Sequence, residues 1–182
     1  MSGADIGAKA KKILIMGLDN SGKTSILLSL QRDTNLMSYY SLRPTRGLNI
    51  VNFEDHGTIF NIWDFGGQEQ YRKSYLQRFN EYFSGVDKII FVIDVQDTER
   101  YDIALQYLQL IINELQKQEY NVDFSIFLHK FDPNLENHPD FTDEKVTSNL
   151  LAKIEKIVPP NFEYHLFKTT IFTIFQKRPI IR

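Results

Sequence analysis

Residues 17–24, Gly-Leu-Asp-Asn-Ser-Gly-Lys-Thr, decide the fold of this chain, because they match the spacing G-x-x-x-x-G-K-[ST]. An apolar run, residues 13–16, precedes them, and a second apolar stretch, residues 25–30, follows. A buried strand, a glycine-rich loop and a helix start are the context in which this pattern binds phosphate, through inward N–H groups and the positive end of the helix dipole. The pattern predicts a phosphate-binding loop in which Lys23 reaches the β- and γ-phosphates and Thr24 offers its hydroxyl to Mg²⁺.

Composition limits the classes of protein that this chain can be. Its 182 residues are 42% hydrophobic, which suits one domain spanning residues 1–182, with residues 1–11 expected to be a flexible N-terminal segment. The net charge of −2 and the pI near 6.1 provide no field for nucleic acid or anionic lipid. The absence of cysteine excludes disulfides, thiolate metal sites and cysteine lipidation.

The sequence also predicts no membrane anchor of its own. No apolar run approaches the roughly 20 residues of a membrane span. Position 2 is Ser2, so the glycine required for N-myristoylation is missing. We therefore expect a cytoplasmic protein with no direct lipid anchor, which reaches membranes only through protein partners.

Apolar segments alternate between strand-like and helix-like periodicity, which predicts an α/β fold. The expected architecture is a doubly wound, mostly parallel six-stranded sheet with helices on both faces. Residues 48–63 read as a hairpin turning at Gly57, and residues 33–46 as a long functional loop. The predicted strands are residues 13–16, 48–53, 58–63, 88–93, 124–128 and 162–167, and the predicted helices are 23–30, 69–83, 97–117, 142–157 and a short one from residue 171, limited by Pro179.

Polar residues at the end of the third predicted strand, residues 58–63, are candidates for catalysis and metal binding. Asp64 closes an apolar strand, where a carboxylate can hold Mg²⁺ opposite Thr24. Next to it, Gly67 can bring a bare N–H to a γ-phosphate, and Gln68 is the residue type that orients an attacking water.

Residues 63–69, Trp-Asp-Phe-Gly-Gly-Gln-Glu, resemble the second switch of the small GTPases of the Arf-like branch. Residues 44–47, Pro-Thr-Arg-Gly, are similar to the first-switch Pro-Thr-x-Gly of that branch, and Asp19 in the phosphate loop matches it too. The resemblance covers residues 12–171. One departure is the distance from Gln68 to Tyr82, which predicts a second-switch helix extended by about one turn.

This resemblance implies roles residue by residue. Thr45 would complete the Mg²⁺ shell with Thr24 and Asp64 only in the GTP state, while Lys23, Gly67 and Gln68 would serve catalysis. Switch I would span about residues 33–47 and switch II about residues 65–83. The phosphate-loop residues expected to bind nucleotide are Asp19, Asn20, Ser21, Gly22, Lys23, Thr24 and Ser25.

Residues 129–132, His-Lys-Phe-Asp, resemble the guanine-binding motif Asn-Lys-x-Asp, with the asparagine replaced by the histidine found in Rag-like GTPases. Asp132 can accept from guanine N1–H and N2–H₂, which adenine cannot satisfy, while the stem of Lys130 packs along the purine. Residues 169–171, Thr-Thr-Ile, resemble the Rag-like Thr-Ser-Ile, where a backbone N–H meets guanine O6. The predicted base-binding residues are His129, Lys130, Asp132, Thr169 and Thr170.

These motifs predict a switch that binds GTP or GDP with Mg²⁺ and slowly hydrolyses GTP, with an effector, an exchange factor and an activating protein as partners. We expect Arg43 to be a solvated loop charge, because Pro44 holds the backbone extended between it and Thr45. The activating arginine would then come from a partner. One alternative is a nucleotide-locked, Rag-like scaffold subunit that signals by pairing. Another, an ATP-dependent kinase or ATPase, is disfavoured by Asp132.

Overall fold

A computed structural model describes residues 10–31 and 34–172 of the chain. Six strands form one sheet in the order β2-β3-β1-β4-β5-β6, and only β2 runs antiparallel to its neighbour. This confirms the predicted α/β class and the mostly parallel six-stranded sheet. The strands are β1 (Lys11–Gly17), β2 (Leu48–Asp55), β3 (Thr58–Phe65), β4 (Lys88–Asp94), β5 (Asp123–His129) and β6 (His165–Lys168).

The predicted hairpin between β2 and β3 is present and antiparallel. Asp55 pairs with Thr58, so only His56 and Gly57 form the turn. Both have positive φ, 47° and 74°, as a two-residue turn that follows the twist of the strands requires. The hairpin carries Asp64 at the end of β3 to the carboxyl edge of β1, where the phosphate loop begins.

Helices cover both faces of the sheet, as predicted. On one face, α5 (Tyr101–Lys117) buries a stripe at helical spacing that includes Leu108 and Ile111. On the other, α1 (Lys23–Ser29) packs Leu27 against Ile15 and Val92. The central strands are apolar on both sides, as a parallel sheet under two helical layers requires. Because β1, β3, β4 and β5 run parallel to one another, their carboxyl ends meet at one edge of the sheet.

The long helix, predicted from residue 97, begins at Tyr101 instead. A 3₁₀ turn, Thr98–Arg100, precedes it, and neither Asp97 nor Thr98 caps α5 with its side chain. Instead, Asp97 Oδ2 accepts a hydrogen bond from Arg100 Nε at 2.5 Å. The carboxylate is thus used to orient an arginine.

The single helix predicted over residues 69–83 is two helices, α3 (Glu69–Gln77) and α4 (Phe79–Phe83). Arg78 separates them with φ −112° and ψ 38°. The break lets Tyr75 pack edge-on against Phe65 of β3, while Phe79 turns toward Tyr120 beyond the end of α5. Periodicity predicted a helix here but not that its two halves pack against different neighbours.

The segment predicted as an irregular loop contains a short helix, α2 (Leu36–Tyr40). Asn35 begins it, because its Oδ1 accepts from the backbone N–H of Ser38 at 3.2 Å. The predicted helix over residues 142–157 is present as α6 (Asp143–Val146), a π-helical turn (Thr147–Leu151) and α7 (Ala152–Ile157).

Near the C-terminus, the last strand begins three residues later than predicted, at His165. Phe162 belongs instead to a turn, since its N–H donates to Pro159 O at 2.9 Å. Residues 171 and 172 have no regular structure, and the rest of the predicted terminal helix lies outside the described residues. So do residues 1–9 of the predicted N-terminal segment, whose last residue, Lys11, opens β1.

Within the described ranges, no helix has both the length and the apolar character needed to cross a bilayer.

Candidate functional site

The predicted phosphate loop lies between the end of β1 and the start of α1, where the G-x-x-x-x-G-K-[ST] pattern requires it. Lys23 is buried, and its Nζ donates across the loop to the carbonyl of Leu18 at 2.5 Å. Burial lowers the pKa of Lys23 to about 8. The ammonium is therefore held inside the loop, within reach of phosphate oxygens that would favour its charged form.

Three oxygens converge beside the loop, one each from α1, the segment before β2, and β3. Thr24 Oγ1 donates to Asp64 Oδ2 at 2.6 Å, Thr45 Oγ1 donates to the same oxygen at 3.0 Å, and the two hydroxyl oxygens lie 2.9 Å apart. Asp64 Oδ1 is buried and has no hydrogen-bond partner among the described residues. Two hydroxyls and an unsatisfied carboxylate oxygen are hard ligands of the kind that Mg²⁺ prefers, so the residues present fit this ion.

Burial affects the carboxyl of this group as well. Desolvation raises the pKa of Asp64, while hydrogen bonds from Thr24 and Thr45 and the nearby Lys23 act in the opposite direction. A cation at this corner would stabilise the ionised carboxylate.

The backbone of Gly67 packs directly on the phosphate loop. A Cβ added there would lie 2.0 Å from the amide nitrogen of Asp19 and 2.1 Å from the carbonyl carbon of Leu18, so no side chain fits. Arg72 Nε donates to Gly67 O at 2.9 Å and holds this peptide from the α3 side. Glycine at position 67 is thus required by close approach.

A cleft of about 230 Å³ opens between the phosphate loop and the two predicted switches. Gln68, which directly precedes α3 in the predicted switch II, lines this cleft. Arg43, expected to be solvated, is exposed and also lines this cleft. Of the predicted phosphate-loop residues, Ser21 is buried behind the wall, and those that line it are Asp19, Asn20, Gly22, Lys23, Thr24 and Ser25.

His129 connects the predicted base-binding loop to the phosphate loop. Its buried ring packs on Gly22, where an added Cβ would lie 2.4 Å from the ring's Cδ2. Its Nδ1 lies 3.0 Å from Thr169 Oγ1, within hydrogen-bond distance. Burial, followed by the charge of Lys130, lowers the pKa of His129, so the ring is neutral at pH 7.

The carboxylate of Asp132 is held at both oxygens. Thr170 Oγ1 donates to Oδ1 at 2.6 Å, and Gln96 Nε2 donates to Oδ2 at 3.0 Å. Gln96 Nε2 also reaches Lys130 O at 2.8 Å, and Lys130 Nζ forms an ion pair with Asp94 Oδ2 at 2.6 Å. All five predicted base-binding residues thus lie together, at the carboxyl end of β5.

Sequence reasoning missed two residues that support the site. Gln96 follows β4, and β4 neighbours β5, so adjacency of their carboxyl ends was the available signal. Arg100 donates from Nη1 to Asp19 Oδ1 and from Nη2 to Asp19 O, both at 3.2 Å. The local signal for Arg100 was its spacing from Asp97, which lies one helical turn earlier and orients the guanidinium.

Comparison with known proteins agrees with this geometry. The family model described as the ADP-ribosylation factor family matches residues 3–173. A solved structure of the small GTPase Arl6 (BBS3) from Trypanosoma brucei, with the bound nucleotide analogue GppNp, superposes with a TM-score of 0.64 at 22% sequence identity. The match covers 89% of this chain and 87% of that one, and it supports the small G-domain fold. Because the family model spans nearly the whole chain, the protein belongs to the ADP-ribosylation factor family of small GTPases.

Proposed function

We propose that this protein is a switch that binds GTP and GDP with Mg²⁺ and slowly hydrolyses GTP. The observation that carries the proposal is the convergence of Thr24, Thr45 and Asp64 within 3.0 Å of one another beside the phosphate loop. Thr24 lies in α1 and Asp64 lies in β3, whereas Thr45 lies in the predicted switch I. A site that draws a residue from a loop is suited to report which nucleotide is bound.

The residues around the cleft would divide the work of hydrolysis. Lys23 would balance charge on the β- and γ-phosphates, the N–H of Gly67 would contact the γ-phosphate, and Gln68 would orient the attacking water. Thr24, Thr45 and Asp64 would hold Mg²⁺, which when bound neutralises charge on the phosphate oxygens.

Base selectivity would come from the loop after β5. A carboxylate can accept from guanine N1–H and N2–H₂ together, and Asp132 is already held in place by Thr170 and Gln96. His129 would replace the usual asparagine as the contact between this loop and the phosphate loop, as in Rag-like proteins. Its packing on Gly22 and its contact with Thr169 support that role.

The switch would act through protein partners: an effector that reads the GTP state, an exchange factor and an activating protein. An intact Thr24, Thr45 and Gln68 favour this function over a nucleotide-locked scaffold, since a locked subunit needs no water-positioning residue.

Identification of the nucleotide that co-purifies with the protein, by chromatography after denaturation, tests the proposal. Thermal-shift titration with GTP, GDP, ATP and XTP in Mg²⁺ should then show stabilisation by the two guanine nucleotides alone. Amide exchange over residues 34–47 and 65–83 should be slower with a non-hydrolysable GTP analogue than with GDP. Equal protection in the two states would contradict a switch, and stabilisation by ATP would contradict guanine selectivity.

A further inference from the structure

One backbone carbonyl joins the two segments proposed to sense the γ-phosphate. Gly47 O accepts from the N–H of Gly66 at 2.7 Å and from the hydroxyl of Tyr75 at 2.8 Å. Gly47 follows Thr45 by two residues, Gly66 precedes Gly67, and Tyr75 lies in α3. A single acceptor therefore ties switch I to both the loop and the helix of switch II.

Packing holds the hydroxyl of Tyr75 in place. The side chain is buried, and its ring meets Phe65 edge-on at 4.6 Å and Tyr82 edge-on at 5.3 Å. Burial raises the pKa of Tyr75 well above its ordinary value of 10, so the hydroxyl stays a donor at any working pH. The ring cannot turn away without opening the contact between α3 and β3.

The two segments also touch through their backbones. A Cβ added at Gly66 would lie 2.5 Å from Thr45 O and 2.8 Å from Gly47 O. Gly47 itself has φ +66°, and an added Cβ would meet nothing within 4 Å. Gly47 thus lies at an uncrowded position with a left-handed backbone conformation, and its carbonyl oxygen accepts from two donors of switch II.

We propose that Tyr75 is the positioning residue that couples switch I to switch II. Its hydroxyl holds Gly47 O in place. Thr45 therefore keeps its hydrogen bonds with Asp64 and Thr24 only while α3 is packed against the sheet. The inference rests on the proposed switch function and names the contact by which the state of one switch reaches the other. Because Thr45 is proposed to bind Mg²⁺ only in the GTP state, Tyr75 would stabilise GTP binding without affecting GDP binding.

The chain provides a matched control in Tyr107 of α5. Tyr107 is buried and lies under the guanidinium of Arg72, 5.2 Å from ring to Cζ, yet its hydroxyl has no hydrogen-bond partner within the described part of the chain. Tyr75→Phe and Tyr107→Phe each remove one buried oxygen beneath switch II, but only the first removes a bond to switch I.

The experiment measures dissociation of fluorescent GDP and of a fluorescent non-hydrolysable GTP analogue, in Mg²⁺, from wild type and both variants. We expect Tyr75→Phe to release the GTP analogue about fivefold faster, the effect of one net hydrogen bond, and GDP at less than twice the wild-type rate. Tyr107→Phe should match wild type with both nucleotides.

Other outcomes separate the two proposals. Equal acceleration of both nucleotides in Tyr75→Phe, or none, would overturn the coupling while leaving the GTPase assignment intact. A wild type that binds no guanine nucleotide would overturn both. Amide exchange of residues 34–47 with the GTP analogue bound gives a second measurement: faster exchange in Tyr75→Phe alone supports the coupling, and unchanged exchange contradicts it.

Discussion

Replacing Gln96 with alanine should weaken the binding of guanine nucleotides, although Gln96 is not itself one of the residues predicted to contact the base. Its Nε2 donates to Asp132 Oδ2 at 3.0 Å and to Lys130 O at 2.8 Å. Each carboxylate oxygen has two lone pairs, so Gln96 and a guanine N–H can share Oδ2. In Gln96→Ala, Thr170 is the one remaining donor to this carboxylate among the described residues.

The size of the effect follows from these two bonds. A hydrogen bond to a charged acceptor contributes about 1.5–3 kcal/mol and a neutral one about 0.5–1.5 kcal/mol. Gln96 is exposed, so water replaces much of both bonds in the variant. The free energy of binding is then less favourable by about 1 kcal/mol, which corresponds to roughly fivefold weaker binding of GTP and GDP. ITP, which lacks the 2-amino group and so uses one fewer contact to Asp132, should lose less.

Equilibrium titration with fluorescent GTP, GDP and ITP measures these affinities. Gln109→Ala provides the control, since Gln109 is an exposed glutamine of α5 and is not among the described donors to Asp132. A Gln96→Ala variant that binds GTP as tightly as wild type, or more tightly, would show that Gln96 competes with guanine for Asp132 instead of orienting it, and would refute this reasoning.

Three further predictions concern the base, the reaction and pH. Asp132→Asn should weaken the binding of GTP and strengthen that of XTP in a competition titration, because the amide N–H₂ can donate to the second oxygen of xanthine. Unchanged GTP affinity would show that Asp132 does not contact the base. Single-turnover hydrolysis of bound GTP should be slow, roughly 10⁻⁴ to 10⁻³ s⁻¹, abolished in Gln68→Leu and unaffected by Arg43→Ala, whereas a wild-type rate near about 10⁻² s⁻¹ that falls tenfold in Arg43→Ala would make Arg43 a catalytic residue. The lowered pKa of His129 means that the unfolded chain takes up this proton first as the pH falls from about 6.5, so stability is lost on acidification. The midpoint of thermal unfolding between pH 7 and pH 5 should therefore fall less steeply in His129→Asn than in wild type, and parallel curves would contradict a buried neutral ring.

The sequence by itself determined the parts of this protein that depend on short-range spacing. The G-x-x-x-x-G-K-[ST] pattern between an apolar run and a helix placed the phosphate loop, and the alternation of strand and helix periodicity predicted the sheet class. The resemblance of residues 129–132 to the Asn-Lys-x-Asp motif also predicted His129, Lys130 and Asp132 as base-binding residues, because these three are consecutive or nearly so. In each case the relevant groups lie within one turn or one strand end of each other, so local geometry suffices.

Only the tertiary structure decided which distant side chains meet outside the recognised motifs. Gln96 reaches Asp132 across 36 positions, and Tyr75 reaches Gly47 across 28. Periodicity predicted a helix over residues 69–83, but not that the hydroxyl of Tyr75 would find an acceptor in the predicted switch I, nor that α3 would end before Arg78. Apolar periodicity reports the face that a segment buries, whereas the hydrogen-bond partner of a side chain depends on the register and approach of a second segment, and these are set by packing of the whole core.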